Sequence, residues 1–216
     1  MLGIYNNMAL GLAITAIASL ATSYLAQTNP AIAQALYGSP LKWVIMFAPL
    51  VFVFAFSASV NRMQPATARL VFFAFAATMG ISISWIFLVF TGASIARTFF
   101  ITAAAFAGLS LWGYTTKKDI SAWGSFLIMG VIGLILAMIV NIFLQSSALH
   151  FAVSALGVLI FAGLTAYDTQ NLKNTYGFVA NDATAAGRVS VIGALRLYLD
   201  FLNLFMFLLQ FMGGRE

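Results

Sequence analysis

Asp168 and Asp200 lie inside the last two of about seven apolar stretches, each long enough to cross a bilayer. A carboxylate within a membrane span costs roughly 2.5–3.5 kcal/mol on insertion scales and more in simulations. A chain that keeps two of them must turn both toward the interior of a bundle, where such residues mark a pathway, a proton relay or a catalytic site. Only five residues of the 216 are acidic. Two of the five in spans cannot be read as solvated surface.

Composition agrees. The chain is 62% hydrophobic and 7% charged, against about 25% charged in soluble domains. It reads as one integral membrane domain over residues 1–216, with spans at approximately 8–27, 41–61, 68–91, 97–116, 123–144, 149–170 and 192–212. None alternates with period two over a barrel strand's length, so an all-α bundle of seven transmembrane helices is predicted. Ala31-Ile32-Ala33 resembles a signal-peptide cleavage site, but no Lys or Arg precedes Lys42. The run from Met8 to Ala26 is therefore read as the first span. Asn29-Pro30, Ser39-Pro40 and Gln64-Pro65 break the first two connections. Pro49 lies inside the second span, as a kink or as a tolerated membrane-helix proline. The absence of cysteine excludes disulfides and thiolate metal sites.

The formal charge of +5 sits mostly in short loops, which makes it a topology signal rather than a nucleic-acid surface. With the N-terminus inside, Arg62, Arg69, Lys117, Lys118, Lys173 and Arg188 face the cytoplasm, and Lys42, Arg97 and Arg215 face outward. Six against three favours that orientation. His150, near the outer end of the sixth span, reads as an interfacial polar anchor.

The last span carries Arg196, Asp200, Asn203 and Gln210 on one stripe, with Phe207 filling the gap. Lipid penalises such a face, so the last helix is expected at the centre of the bundle. The sixth span has a small and polar stripe, Ser154, Gly157, Phe161, Thr165 and Asp168. The fifth carries Gly130, Gly133, Ala137 and Asn141, where glycines favour close packing.

Two carboxylates brought together resist being ionised at once, so the pair titrates as a unit and holds a shared proton. Such a pair can sense pH. It can also bind a hard cation, since Ca²⁺ takes oxygen ligands. Asp168 and Asp200 are thus candidate sensor and weak calcium ligands, with Asn203, Thr165 and Asn141 as candidate pathway lining. The other reading is salt bridging. Arg196 precedes Asp200 by one helical turn, and Arg62 stands at the inner end of the second span. The two readings combine if an arginine latches the pair shut.

Several runs resemble the Bax inhibitor-1 family. They are Tyr5–Leu12 (YNNMALGL), Leu109–Ser121 (LSLWGYTTKKDIS), Gly124–Leu144 (GSFLIMGVIGLILAMIVNIFL), Gly157–Gln170 (GVLIFAGLTAYDTQ) and Gly193–Phe205 (GALRLYLDFLNLF). The resemblance implies a seven-helix bundle with a central last helix and a pH-sensitive calcium leak. It implies a sensing aspartate pair, which falls on Asp168 and Asp200, and a latching arginine, which falls on Arg62. Calcium is then a permeant ion rather than a cofactor, and the expected location is a bacterial inner membrane. Arg196 departs from the family pattern and sets a cation beside the second aspartate.

Other functions are weighed against this one. An intramembrane aspartyl protease also sets aspartates on two adjacent spans, and Tyr167-Asp168 fits its first motif. Its second aspartate follows Gly-x-Gly, whereas Leu197-Tyr198-Leu199 precedes Asp200. A retinal pump needs a lysine inside the last span, and none is there. A regulator of a membrane protease or of cell survival, acting by helix contacts, and a proton/calcium exchanger both stay open. Lipid, calcium and protons are the expected partners, with room for a membrane protein such as a protease. Nucleic acid is not expected, nor is an enzymatic activity.

Overall fold

The structure, a computed structural model, describes residues 1–179 and 181–214, apart from the side chain of Asn61. Arg215, counted among the outward charges, lies outside them. Seven helices among the described residues are long and apolar enough to span a membrane. They are α1 (Leu2–Thr28), α2 (Leu41–Ser59), α3 (Pro65–Ile83, extended by a short turn Ile86–Val89), α4 (Gly92–Thr115), α5 (Trp123–Leu144), α6 (Ser147–Val179) and α7 (Ala183–Met212). No strand occurs among the described residues, so the all-α membrane class stands. The last helix is the most enclosed, as its polar stripe requires. In α7, 67% of the membrane-length stretch is buried, against 11–33% in the other six.

Local chemistry sets the helix ends. Pro65 opens α3 at a position where its missing N–H costs nothing. Thr91 caps α4 by accepting from the Ser94 amide at 3.2 Å. Asp182 caps α7, its Oδ1 accepting from Thr184 and Ala185 amides at 2.9 and 3.0 Å. α5 ends on Gln145 in the left-handed region (φ 48°), and Ser146 then caps α6 through the Leu149 amide. α2 runs through Pro49 from Leu41 to Ser59 as one helix.

Two compact units make up the chain, and α7 contributes to both. The first holds Met1–Phe90 with Phe178–Tyr198. There α1 packs on α3 so closely that a Cβ on Gly80 would strike the Thr15 carbonyl. Thr15 is the polar centre of this unit. Its hydroxyl meets the Gly11 carbonyl at 3.0 Å, the Ala76 carbonyl at 2.8 Å and the Tyr198 hydroxyl at 2.6 Å. Tyr198 is fully buried, with Phe72 and Phe75 edge-on at 5.5 and 5.8 Å. A buried phenol needs such a partner, because nothing in an apolar interior replaces water.

The second unit holds Thr91–Gly177 and α7 from Leu199 onward. Its core joins Leu127, Leu134, Val153, Phe161, Leu164, Leu204 and Phe207. α4 approaches α6 through Gly113, whose Cβ would meet the Ala166 carbonyl. Phe126 and Phe143 on α5 stay 75% and 82% exposed, which suits contact with lipid.

The Thr15–Tyr198 hydrogen bond is testable as a pair. Tyr198→Phe and Thr15→Val should each lower stability by about 1 kcal/mol, and the double variant by little more than either alone. Thermal unfolding in detergent reads this. Additive losses would contradict the pairing.

Candidate functional site

The packing of α6 on α7 fixes the depth of both intramembrane acids. Phe151 meets Phe211 with ring centroids 5.0 Å apart. Further along, Phe207 lies against Gly157, where a Cβ would fall 2.5 Å from its ring, and stacks on Phe161 at 5.7 Å and 24°. Numbers rise along α6 as they fall along α7, so the helices run antiparallel. Asp168 lies seven residues past Phe161, and Asp200 lies seven before Phe207. Seven residues make nearly two turns, about 10.5 Å with a drift of about 20°. The stacked rings therefore put positions 168 and 200 at about one level along the two helices. By the same register Thr165 and Asn203, each four residues from its ring, form a second level next to the first.

Asp200 is 5% exposed and Asp168 is partly buried. Thr165 is fully buried and donates to the Phe161 carbonyl at 2.8 Å, and Thr169 donates to the Thr165 carbonyl at 2.7 Å. Asn203 donates to the Leu199 carbonyl at 2.8 Å. Each of these bonds turns a polar side chain back onto its own helix, which lets it sit at a helix–helix surface without an unpaired donor. The setting is rich in oxygen, the donor atom that hard cations take.

Basic residues gather at the end of this unit nearest the acids. Gln170, two residues past Asp168, clamps the loop between α4 and α5. Its Oε1 accepts from the Ile120 amide at 3.0 Å, and its Nε2 donates to the Lys118 carbonyl at 2.8 Å. Lys173 donates to the Tyr114 carbonyl at 2.8 Å and lies over the Tyr114 ring at 4.9 Å. In the same loop Asp119 is held below the usual carboxylate range by Ser121, through its hydroxyl and then its amide. In the first unit Arg188 donates to the Met63 carbonyl at 2.8 Å, beside Arg62.

The remaining predicted residues divide. Asn141 is not near the carboxylate level. It accepts from the Ser146 amide at 2.9 Å and fixes the α5–α6 turn, about 30 Å along α6 from Asp168. Arg62 ends the turn Val60–Arg62 and is exposed. Arg196 is also exposed, whereas Asp200 one turn later is buried. The stripe read from spacing thus changes environment along its length. Sequence reasoning passed over Gln170 and Tyr198, although both lie in the quoted runs. Their signal was a polar group inside an apolar segment.

Comparison with known proteins covers the whole chain. The family model described as inhibitor of apoptosis-promoting Bax1 matches residues 1–216. An uncharacterized protein of Caulobacter vibrioides is 48% identical over 225 residues, covering all of this chain and 88% of the relative. Protein RP147 of Rickettsia prowazekii is 43% identical, over all of this chain and 89% of its own length. The inner membrane protein YbhL of Escherichia coli K12 is 40% identical, over 99% of this chain and 90% of its own length. The chain is a multi-pass membrane protein that belongs to the Bax inhibitor family.

Proposed function

We propose that this chain is a pH-sensitive calcium leak of a bacterial inner membrane, with Asp168 and Asp200 as its sensor. The observation that carries the reading is the register of α6 and α7, which supports one level for both acids. Two carboxylates that meet at one depth resist being ionised together, so the charge of the pair responds to pH as a unit. Deprotonated, they offer hard oxygen ligands to a calcium ion in passage. Two carboxylates with Asn203 and backbone oxygens make a weak, hydrated site, suited to passage more than storage. Arg62 is the proposed latch. The family resemblance is what assigns it that role, and its side chain is exposed. Family membership and the inner-membrane name of the Escherichia coli relative support the location.

Calcium flux into liposomes across a pH series tests this. The parent chain should pass calcium downhill with a pH-dependent rate. Asp168→Asn and Asp200→Asn should each abolish or displace that dependence, and the double variant should do little more. Asp119→Asn serves as control, since that acid stays ionised throughout the series. Arg62→Ala should raise basal flux up to about fivefold, the worth of about 1 kcal/mol from an exposed cation, with Arg196→Ala unchanged. Additive effects of the two aspartate substitutions would break the pair. Uphill calcium movement driven by a pH gradient would make the protein an exchanger.

The orientation is tested separately. Lys118 and Lys173 are tied to one end of the second unit, and the excess of basic loop residues assigns that end to the cytoplasm. Single cysteines at 117 and 173 in this Cys-free chain should both react from the cytoplasmic side. Reaction from the other side would reverse the orientation.

A further inference from the structure

At the opposite end of the second unit, Asn141, His150 and Gln210 line a cavity of about 240 Å³ with Met138, Ile142 and Val153. Three polar side chains from three helices converge there. Nε2 of His150 is buried and has no hydrogen-bond partner among the described residues. A buried polar atom without a partner is costly in an apolar setting, and a polar cavity of this size holds several waters at about 30 Å³ each. His150 is therefore better placed as a wall of a wet pocket than as the interfacial anchor its position suggests.

The pocket is in line with the acids along α7. Gln210, Phe207, Asn203 and Asp200 follow at three, four and three residues, one face of a helix. Going inward from Gln210, the Phe161–Phe207 stack comes about 4.5 Å below, the Thr165–Asn203 level about 6 Å further, and the carboxylates about 4.5 Å beyond that. Phe161 and Phe207 belong to the dry cluster with Leu134, Val153 and Leu204. A polar pocket, an apolar layer one ring pair thick and a polar layer thus succeed one another between α6 and α7.

We infer that the Asn141–His150–Gln210 pocket is a hydrated outer mouth for a small cation, closed from the aspartates by the Phe161–Phe207 plug. This rests on the leak reading for its physiological meaning, though not for its geometry. The lining amides are uncharged and both donate and accept, and the imidazole adds two ring nitrogens. They suit water and an ion that keeps its hydration shell. Among the described residues no carboxylate lines the pocket to strip that shell, so selectivity is left to the acids below. Apolar constrictions of this kind gate by excluding water. Gly157 is what lets the Phe207 ring lie flat against α6, since any side chain there would occupy the ring's place.

The chain has no cysteine, so the test is accessibility of single cysteines in the full-length protein in liposomes. The probe is a membrane-impermeant, positively charged methanethiosulfonate added to one side at a time. Gln210→Cys and Asn141→Cys should react from the outer side. Asn203→Cys should react at least tenfold more slowly from that side. Adding Phe207→Ala should bring the Asn203→Cys rate close to that of Gln210→Cys. Phe207→Leu, which removes the ring and keeps most of the bulk, should give an intermediate rate and covers the case in which the alanine variant does not fold. Unreactive Gln210→Cys and Asn141→Cys would overturn the mouth. Asn203→Cys reacting as fast as Gln210→Cys with Phe207 in place, or unaltered by either substitution in a folded protein, would overturn the plug. Calcium flux on the same variants separates the two claims. Faster labelling with several-fold higher flux supports both, and faster labelling with unchanged flux keeps the mouth and plug while removing the leak reading.

Discussion

Phe207 lies flat on α6 because position 157 is glycine, and that one close approach sets the register of Asn203 and Asp200 against α6. A larger residue at 157 would push the ring away by the width of a side chain. The stack on Phe161 would then be lost, and with it the register that puts Asp168 level with Asp200 and Thr165 level with Asn203. In a membrane no hydrophobic force drives helix against helix, since lipid is as apolar as a leucine side chain. Packing of small residues against flat rings has to supply the specificity.

α7 carries two kinds of buried polar group within three residues. Tyr198 belongs to the first unit and is tied to Thr15 by a short hydrogen bond. Asp200 belongs to the second and is buried. The first is neutral and satisfied, which is a structural solution to a polar atom in an apolar place. The second is ionisable, and an apolar interior penalises its charged form. The contrast is the physical reason to look for function at the acids.

Much of this was legible in the sequence because membrane solvation leaves few choices. The seven spans, the helical class and the enclosed last helix follow from hydrophobic length and from one polar stripe. The pairing level of the aspartates was not legible as such. The expected spans ended near 170 and began near 192, whereas α6 runs to Val179 and α7 starts at Ala183. Hydropathy marks the part of a helix that lipid can accept, and it misses helix that continues beyond. Arg196 shows a second limit, since spacing gives a direction around the helix but not what stands there. Asn141 shows a third. Its side chain is engaged in a turn that depends on Gln145 adopting a left-handed conformation, which nothing in the residue type announces.

The central claim is the register of α6 on α7, and paired cysteines measure it without reference to any activity. A disulfide forms only when two Cα atoms come within about 7 Å, and a short bifunctional reagent extends that reach slightly. The level pair Thr165→Cys with Asn203→Cys should crosslink in the membrane. The offset pair Thr165→Cys with Gln210→Cys, about 10 Å out of register along the axis, should not. Crosslinking that favours the offset pair over the level pair would place the two carboxylates at different depths and contradict the account.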